Sequence, residues 1–189
     1  MTPCSLPPRS QQKIATGERR LTPELWQGDV AIRAMTVKDQ DLLRSFFQNL
    51  SPSARYRRFM SPMRNVADSI IQHLSAVDQN NHVAYLAETW QDGAPIMIAE
   101  ARYVLGQKSQ YDCEFAIAVA DQWQGRGIGH KLLSRLERQA AQSGRHELTA
   151  DTLPENSAMI GLAKRCGFSV ARQQHDFKVK RLTKTINLH

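Results

Sequence analysis

One short segment, Gln124-Gly125-Arg126-Gly127-Ile128-Gly129-His130, constrains this chain more than any other. Before it runs an apolar stretch, Phe115, Ile117 and Val119; after it Ile128, Leu132, Leu133, Leu136 and Ala140 recur at helical spacing. The glycines let the backbone turn tightly and expose consecutive N–H groups, which is how a pyrophosphate is held. The positive end of the following helix dipole adds attraction, and Arg126 or Lys131 can add full charges. Other readings of the turn differ in detail. A Walker loop needs Gly-Lys-Ser/Thr, which is absent, and a dinucleotide fingerprint needs G-x-G-x-x-G after the first strand of a parallel βαβ unit, whereas here G-x-G-x-G follows a fourth strand. A plain strand-to-helix turn is the alternative without function.

The rest of the chain agrees with a mixed sheet. Residues 1–27 carry Pro3, Pro7, Pro8 and Pro23 among polar and basic residues and read as a mobile arm, with a single domain over 28–189. Val30 and Ile32 predict a short strand, and Thr36 with Asp39 resembles a capping box opening a helix through Phe47. Helices are predicted over 53–59, behind the Ser51-Pro52 cap, and over 67–76. Strands over 82–89, 96–104 and 114–119 follow as an antiparallel meander, punctuated by Asp92-Gly93 and by the turn signals of 106–112. Then come a helix over 127–143, a strand over 147–153, a helix over 156–165 closed by Gly167, and strands over 168–170 and 177–182. The fold class is α/β, or α+β, with a central sheet of about seven strands flanked by helices.

Composition narrows the function classes. A chain of 189 residues supports one sizeable core. No apolar run reaches the roughly 20 residues that a bilayer-crossing helix needs, so the expected place is the cytoplasm, with no membrane partner. Cys4, Cys113 and Cys166 are odd in number and widely spaced, and His82, His130, His146 and His175 lack metal spacing, so reduced thiols and no metal are expected. The formal charge of +7 suits a polyanion, but no helix-turn-helix or zinc-finger pattern accompanies the scattered basic residues, and nucleic-acid binding is not the expected role.

The coenzyme A signature Q/R-x-x-G-x-G/A is matched by Gln124, Gly127 and Gly129, and Asn156-Ser157-Ala158-Met159-Ile160-Gly161-Leu162-Ala163-Lys164-Arg165-Cys166-Gly167-Phe168 is similar to N-x-x-A/M-x-x-L-Y-x-K-x-G-F. On both segments the chain resembles the GNAT superfamily of acyl-CoA N-acyltransferases. The resemblance implies that strands four and five splay apart and take the pantetheine arm against Ile117, Ala118 and Val119. It implies that Gln124, Gly125, Arg126, Gly127, Ile128, Gly129, His130 and Asn156 hold the rest of acetyl-CoA, the acyl donor. The stretch from Leu50 to Met60 and Glu114-Phe115-Ala116-Ile117-Ala118-Val119 are similar to GNAT domains of bacterial protein lysine acetyltransferases.

An amine with pKa near 10 must lose a proton before it attacks a thioester. Glu114 is the only acid in the apolar run before the cradle, and strand alternation places it with Ala116 and Ala118, opposite Phe115, Ile117 and Val119. Burial without a cation would raise its pKa toward that of a general base, the role a glutamate has at this place in the related protein acetyltransferases. The alternative is a strand-end carboxylate paired with Arg102 or Lys108, with Glu100 the next candidate base. Ala163 occupies the place of the tyrosine that many family members use as acid, leaving water or direct thiolate release. Cys166 at a helix end reads as a structural thiol rather than an acyl carrier. By the resemblance, the helix over 53–59 lies beside the amine entrance, so Arg55, Arg57 and Arg58 would make a basic substrate rim suited to a lysine on a protein. A small amine acceptor, a non-catalytic acyl-CoA-sensing domain and a homodimer are the alternatives left open.

Overall fold

The computed structural model describes residues 24–26, 30–106, 111–172 and 178–187. In chain order the elements are β1 (Glu24–Trp26), β2 (Val30–Ala34), α1 (Gln40–Asn49), α2 (Pro52–Phe59), α3 (Asp68–Ser75), β3 (His82–Gln91), β4 (Ala94–Leu105), β5 (Asp112–Val119), α4 (Ile128–Gln142), β6 (Glu147–Thr152), α5 (Ser157–Arg165), β7 (Ser169–Arg172) and β8 (Lys180–Thr185). One sheet joins the strands in the order β1-β2-β3-β4-β5-β6-β8-β7. Every neighbouring pair is antiparallel except β5 and β6.

Alternation along the central strands builds a core on each face. Val83, Tyr85 and Ala87 of β3 face the side where α4 contributes Ile128, Leu132, Leu133 and Leu136, all fully or almost fully buried. Ala84 and Leu86 of β3 face the other side, under Leu43, Phe46 and Phe47 of α1 and Ile71 of α3. Each such aliphatic side chain contributes about 1.5–3 kcal/mol by leaving water. The sheet therefore sits between α1–α3 on one face and α4–α5 on the other.

The sequence boundaries hold with three differences. The described sheet has eight strands rather than about seven, because Glu24–Trp26 pairs with β2 inside the segment read as an arm; residues 1–23 lie outside the described residues. Thr36 and Asp39 do form the predicted contact, Thr36 N–H to Asp39 Oδ2 at 2.7 Å, but they open a single 3-10 turn, Val37–Asp39, ahead of α1. Arg33 of β2 reaches Asp39 at 2.7 and 2.8 Å and Glu88 of β3 at 2.8 and 2.9 Å, tying the turn to β2 and β3. The last predicted strand is displaced to Lys180–Thr185, where β8 lies between β6 and β7, and its expected start at Phe177 lies outside the described residues. No helix among the described residues is long and apolar enough to cross a membrane.

Candidate active site

β5 and β6 run parallel only at Asp112–Glu147, Cys113–Leu148 and Glu114–Thr149, and beyond Glu114 they part. β5 stays paired with β4 as far as Val119. Ala120 N–H donates to Ile98 O of β4, so by alternation the N–H and C=O groups of Phe115, Ile117 and Val119 turn to the opposite edge, the one β6 has left. An extended ligand with amide groups can pair there as a missing strand would.

The glycine loop closes this opening. A 3-10 turn, Asp121–Trp123, follows β5, and Gln124 Nε2 donates back to Val119 O at 3.0 Å, so the glutamine fixes the loop to the strand end. Gly125 and Gly127 have φ of 74° and 82°, left-handed values that side chains with a Cβ rarely adopt. Gly127 O accepts from Lys131 N–H, leaving the first N–H groups of α4, those of Ile128, Gly129 and His130, without partners within the helix. Gly129 is needed for close approach: a Cβ there would lie 3.3 Å from Leu162 Cδ2 and 3.7 Å from Ile117 Cδ1. Arg126 does not line the opening; its guanidinium stacks 4.7 Å over the Trp123 ring.

The resulting cleft has a volume of about 730 Å³. Of the residues singled out from sequence, Ile117, Ala118, Val119, Gln124, Gly125, Gly127, Ile128, Gly129, His130, Asn156 and Arg58 line it. Asn156 also has a structural task, since its Oδ1 caps α5 at Met159 N–H and its Nδ2 reaches Thr152 Oγ1, both at 3.2 Å. Arg57, expected in the rim, lines the cleft too; sequence reasoning missed Asp151 and Thr152 of β6, Trp123, and the α5 stripe of Ala158, Leu162 and Arg165. The helical spacing of that stripe was a signal available in the sequence. Asp151 is held by Arg181, with Nη2 to Oδ2 at 2.7 Å, a pairing across strands 30 residues apart that no local pattern reveals.

The charged groups depart most from expectation. Glu114 is exposed, at the last register where β5 and β6 still pair, and it does not line the cleft itself. It lies on the face of Ala118, as alternation predicts, but it is exposed where burial was expected. Arg102 is not its partner either: Arg102 Nε donates to Glu100 Oε2 at 2.6 Å, while Lys108 lies outside the described residues. Glu100 is fully buried, and Arg58 Nε holds its other oxygen at 2.7 Å. Burial alone would raise that carboxyl, but Arg102 and Arg58 outweigh it and hold it below the ordinary carboxylate range, so Glu100 is an ionised, paired carboxylate and a poor base.

Two of the three rim arginines are likewise committed. Arg55 is buried and its Nη1 donates to Phe47 O at 3.2 Å and Gln48 O at 2.8 Å, closing the end of α1 rather than facing a substrate. Its place in the rim is therefore corrected. Arg58 lines the cleft, but its side chain is only 8% exposed and holds Glu100. Arg57 alone of the three stays an exposed cation. Ala163 is fully buried in the α4–α5 core and supplies no acid. Burial raises the Cys166 thiol, and Lys184 Nζ donates to its carbonyl at 2.6 Å, which fits a structural cysteine.

The model of the acetyltransferase (GNAT) family matches residues 41–168. Acetyltransferase PA5475 of Pseudomonas aeruginosa is 27% identical over 147 residues, 78% of each chain. Among solved structures, the GNAT domain of S. lividans PAT superposes with a TM-score of 0.75 at 26% identity, over 82% of this chain and 90% of that one. The protein yncA from Salmonella typhimurium, solved with its cofactor acetyl-CoA, superposes with a TM-score of 0.67 at 19% identity, over 85% of this chain and 96% of that one.

Proposed function

This chain belongs to the GNAT family of acetyltransferases, and from that premise we propose that it moves an acetyl group from acetyl-CoA to the primary amine of a small molecule, with Glu114 as general base. The observation that carries the reading is the parting of β5 and β6 after Glu114, with a glycine loop and a helix start closing the far end. The pantetheine arm pairs with the free edge of β5, and the N–H groups at the start of α4 take the pyrophosphate. The acetyl-CoA seen in the Salmonella neighbour supports this choice of donor.

Glu114 stands at the register where the strands part, beside the opening and open to solvent. It takes the proton of the acceptor ammonium, directly or through one water; the amine nitrogen then forms a bond to the thioester carbon, and the C–S bond breaks. The oxyanion meets the N–H groups of Ile117 or Val119 on the free strand edge. The amide nitrogen gives up its second proton to solvent, and coenzyme A leaves as a thiolate that solvent protonates.

The sequence favours a lysine on a protein because of a basic rim. With Arg55 engaged inside the fold and Arg58 tied to Glu100 through its Nε, the rim keeps one exposed arginine, Arg57, which is a weak dock for a protein surface, and a small amine is the acceptor we favour. The test is release of coenzyme A thiol from acetyl-CoA across a panel of small primary amines, for the wild type and for Glu114→Gln. Turnover should fall about 100-fold in the variant while the acetyl-CoA KM changes little. Acetylation of proteins in a lysate without turnover of any small amine would overturn the acceptor class, and a variant active within a few-fold would overturn the base.

A further inference from the structure

We infer that the acceptor amine carries a carboxylate, received on the cleft wall formed by Arg57 and Arg58. The inference rests on the reading of the cleft as the place where the acceptor meets the donor.

Charge balance inside the fold comes first. Arg58, Glu100 and Arg102 form a buried triad in which two guanidiniums share one carboxylate, one on each oxygen. No other carboxylate among the described residues reaches it: Arg102 spends its remaining contacts on Leu74 O at 2.6 Å, His82 Nε2 at 3.0 Å and the sulfur of Met35. One positive charge is left without a counter-ion in a desolvated position, which is costly unless an anion completes it.

The excess charge has an outlet on one side. Arg58 is the member of the triad that lines the cleft, beside Ala54 and Ala118. The rings of Phe59 and Phe47, with centroids 5.1 and 5.8 Å from its Cζ, hold the guanidinium in place. Its Nε is used by Glu100, while its Nη2 is buried and has no hydrogen-bond partner. An orphaned, charged donor in a cleft wall is the kind of group that a ligand satisfies. Next to it, the exposed Arg57 lines the same wall and makes no ion pair among the described residues.

The remaining anions leave this place open. Asp151 lines the cleft but is taken by Arg181, and Glu114 lies four residues from Ala118 on the same face of β5. An acceptor bound here thus has a base toward one end and paired guanidiniums toward the other. That arrangement suits a molecule with an amine at one end and a carboxylate at the other. The donor's phosphates have their own N–H groups at the glycine loop.

The test uses the full chain, acetyl-CoA and thiol release, with acceptors matched in length: 4-aminobutanoate against butylamine, and 6-aminohexanoate against hexylamine. At least one acid should exceed its partner about 10-fold or more in kcat/KM, a tenfold step being about 1.4 kcal/mol. In Arg58→Lys, which keeps a cation for Glu100 but removes the planar donor edge, that ratio should fall to near one through the KM of the acid. A measurement free of any variant stands beside it: hexanoate should inhibit competitively against the acid, and hexanamide should not. Matched pairs turned over equally, absent inhibition by hexanoate, or a ratio that survives in Arg58→Lys would each overturn the inference while leaving the amine reading intact. Preference for succinyl-CoA over acetyl-CoA with a neutral amine would overturn it by assigning the carboxylate to the donor. No turnover of any small amine would remove the amine reading and the inference together.

Discussion

Ser51 and Asp121, 70 residues apart in sequence, meet twice: the Ser51 N–H donates to Asp121 Oδ2 at 3.1 Å and its hydroxyl to Oδ1 at 2.8 Å. The same hydroxyl oxygen caps α2 by accepting from Ala54 N–H at 3.1 Å. The start of the helix that carries Arg57 and Arg58 is thereby fastened to the 3-10 turn that follows β5, the strand that lines the donor cleft.

Asp121→Ala breaks this tie and leaves the cap. Because Asp121 is exposed and Ser51 only half-buried, the stability cost should stay below about 1 kcal/mol. The acceptor KM should rise several-fold while the acetyl-CoA KM stays within about twofold. Steady-state kinetics with either substrate varied checks it, and an unchanged acceptor KM would separate α2 from acceptor binding.

The glycines of the loop should respond unequally. Gly129→Val drives methyl groups toward Leu162, Ile117 and Val119, where even a bare Cβ is tight, so acetyl-CoA Kd should rise at least about 10-fold, with a stability loss of about 1–3 kcal/mol. Gly125→Ala meets nothing within 4 Å and suffers only left-handed strain, about 1–2 kcal/mol, so it should lose stability but keep most of its affinity. Calorimetric titration with thermal melts separates the two effects.

Glu100→Gln leaves Arg58 and Arg102 facing a neutral amide in the core. Removing one partner of a buried ion pair costs about 3–5 kcal/mol, and denaturant unfolding should show a loss of that size. Since the folded carboxyl lies below its unfolded range, its contribution is present above about pH 4.3 and disappears as pH falls through the lower folded value. The acid limb of the wild-type stability curve should accordingly be steeper than that of the variant.

His82 predicts a second pH effect at milder acidity. Burial, and then the Arg102 charge, depress its pKa, against weaker support from Ala76 O and Asp78, with His73 also nearby. Nδ1 faces Ala76 O at 3.1 Å and Nε2 faces Arg102 Nη1 at 3.0 Å, which fits a neutral ring protonated on Nδ1. The unfolded chain binds this proton near pH 6.5 and the folded chain only at lower pH, so stability falls as pH drops below about 6.5. Melts from pH 7.5 to 5.5 should show the decline, and His82→Gln should flatten it.

What the sequence determined by itself is local in origin. The order of strands and helices, the glycine loop and the start of α4 were legible because apolar periodicity and the freedom of glycine to take positive φ act within a few residues. Even the face of Glu114 followed from alternation. Only the tertiary structure decided which charges are free. Arg55 reads as a rim residue until its guanidinium meets the end of α1, and Arg58 until Glu100, 42 residues away, claims it. Asp151 enters the cleft, and Arg126 stacks on Trp123, for the same kind of reason. A long side chain reaches several ångströms from its backbone, and the partner that best offsets its desolvation is found across the sheet, where sequence distance carries no information.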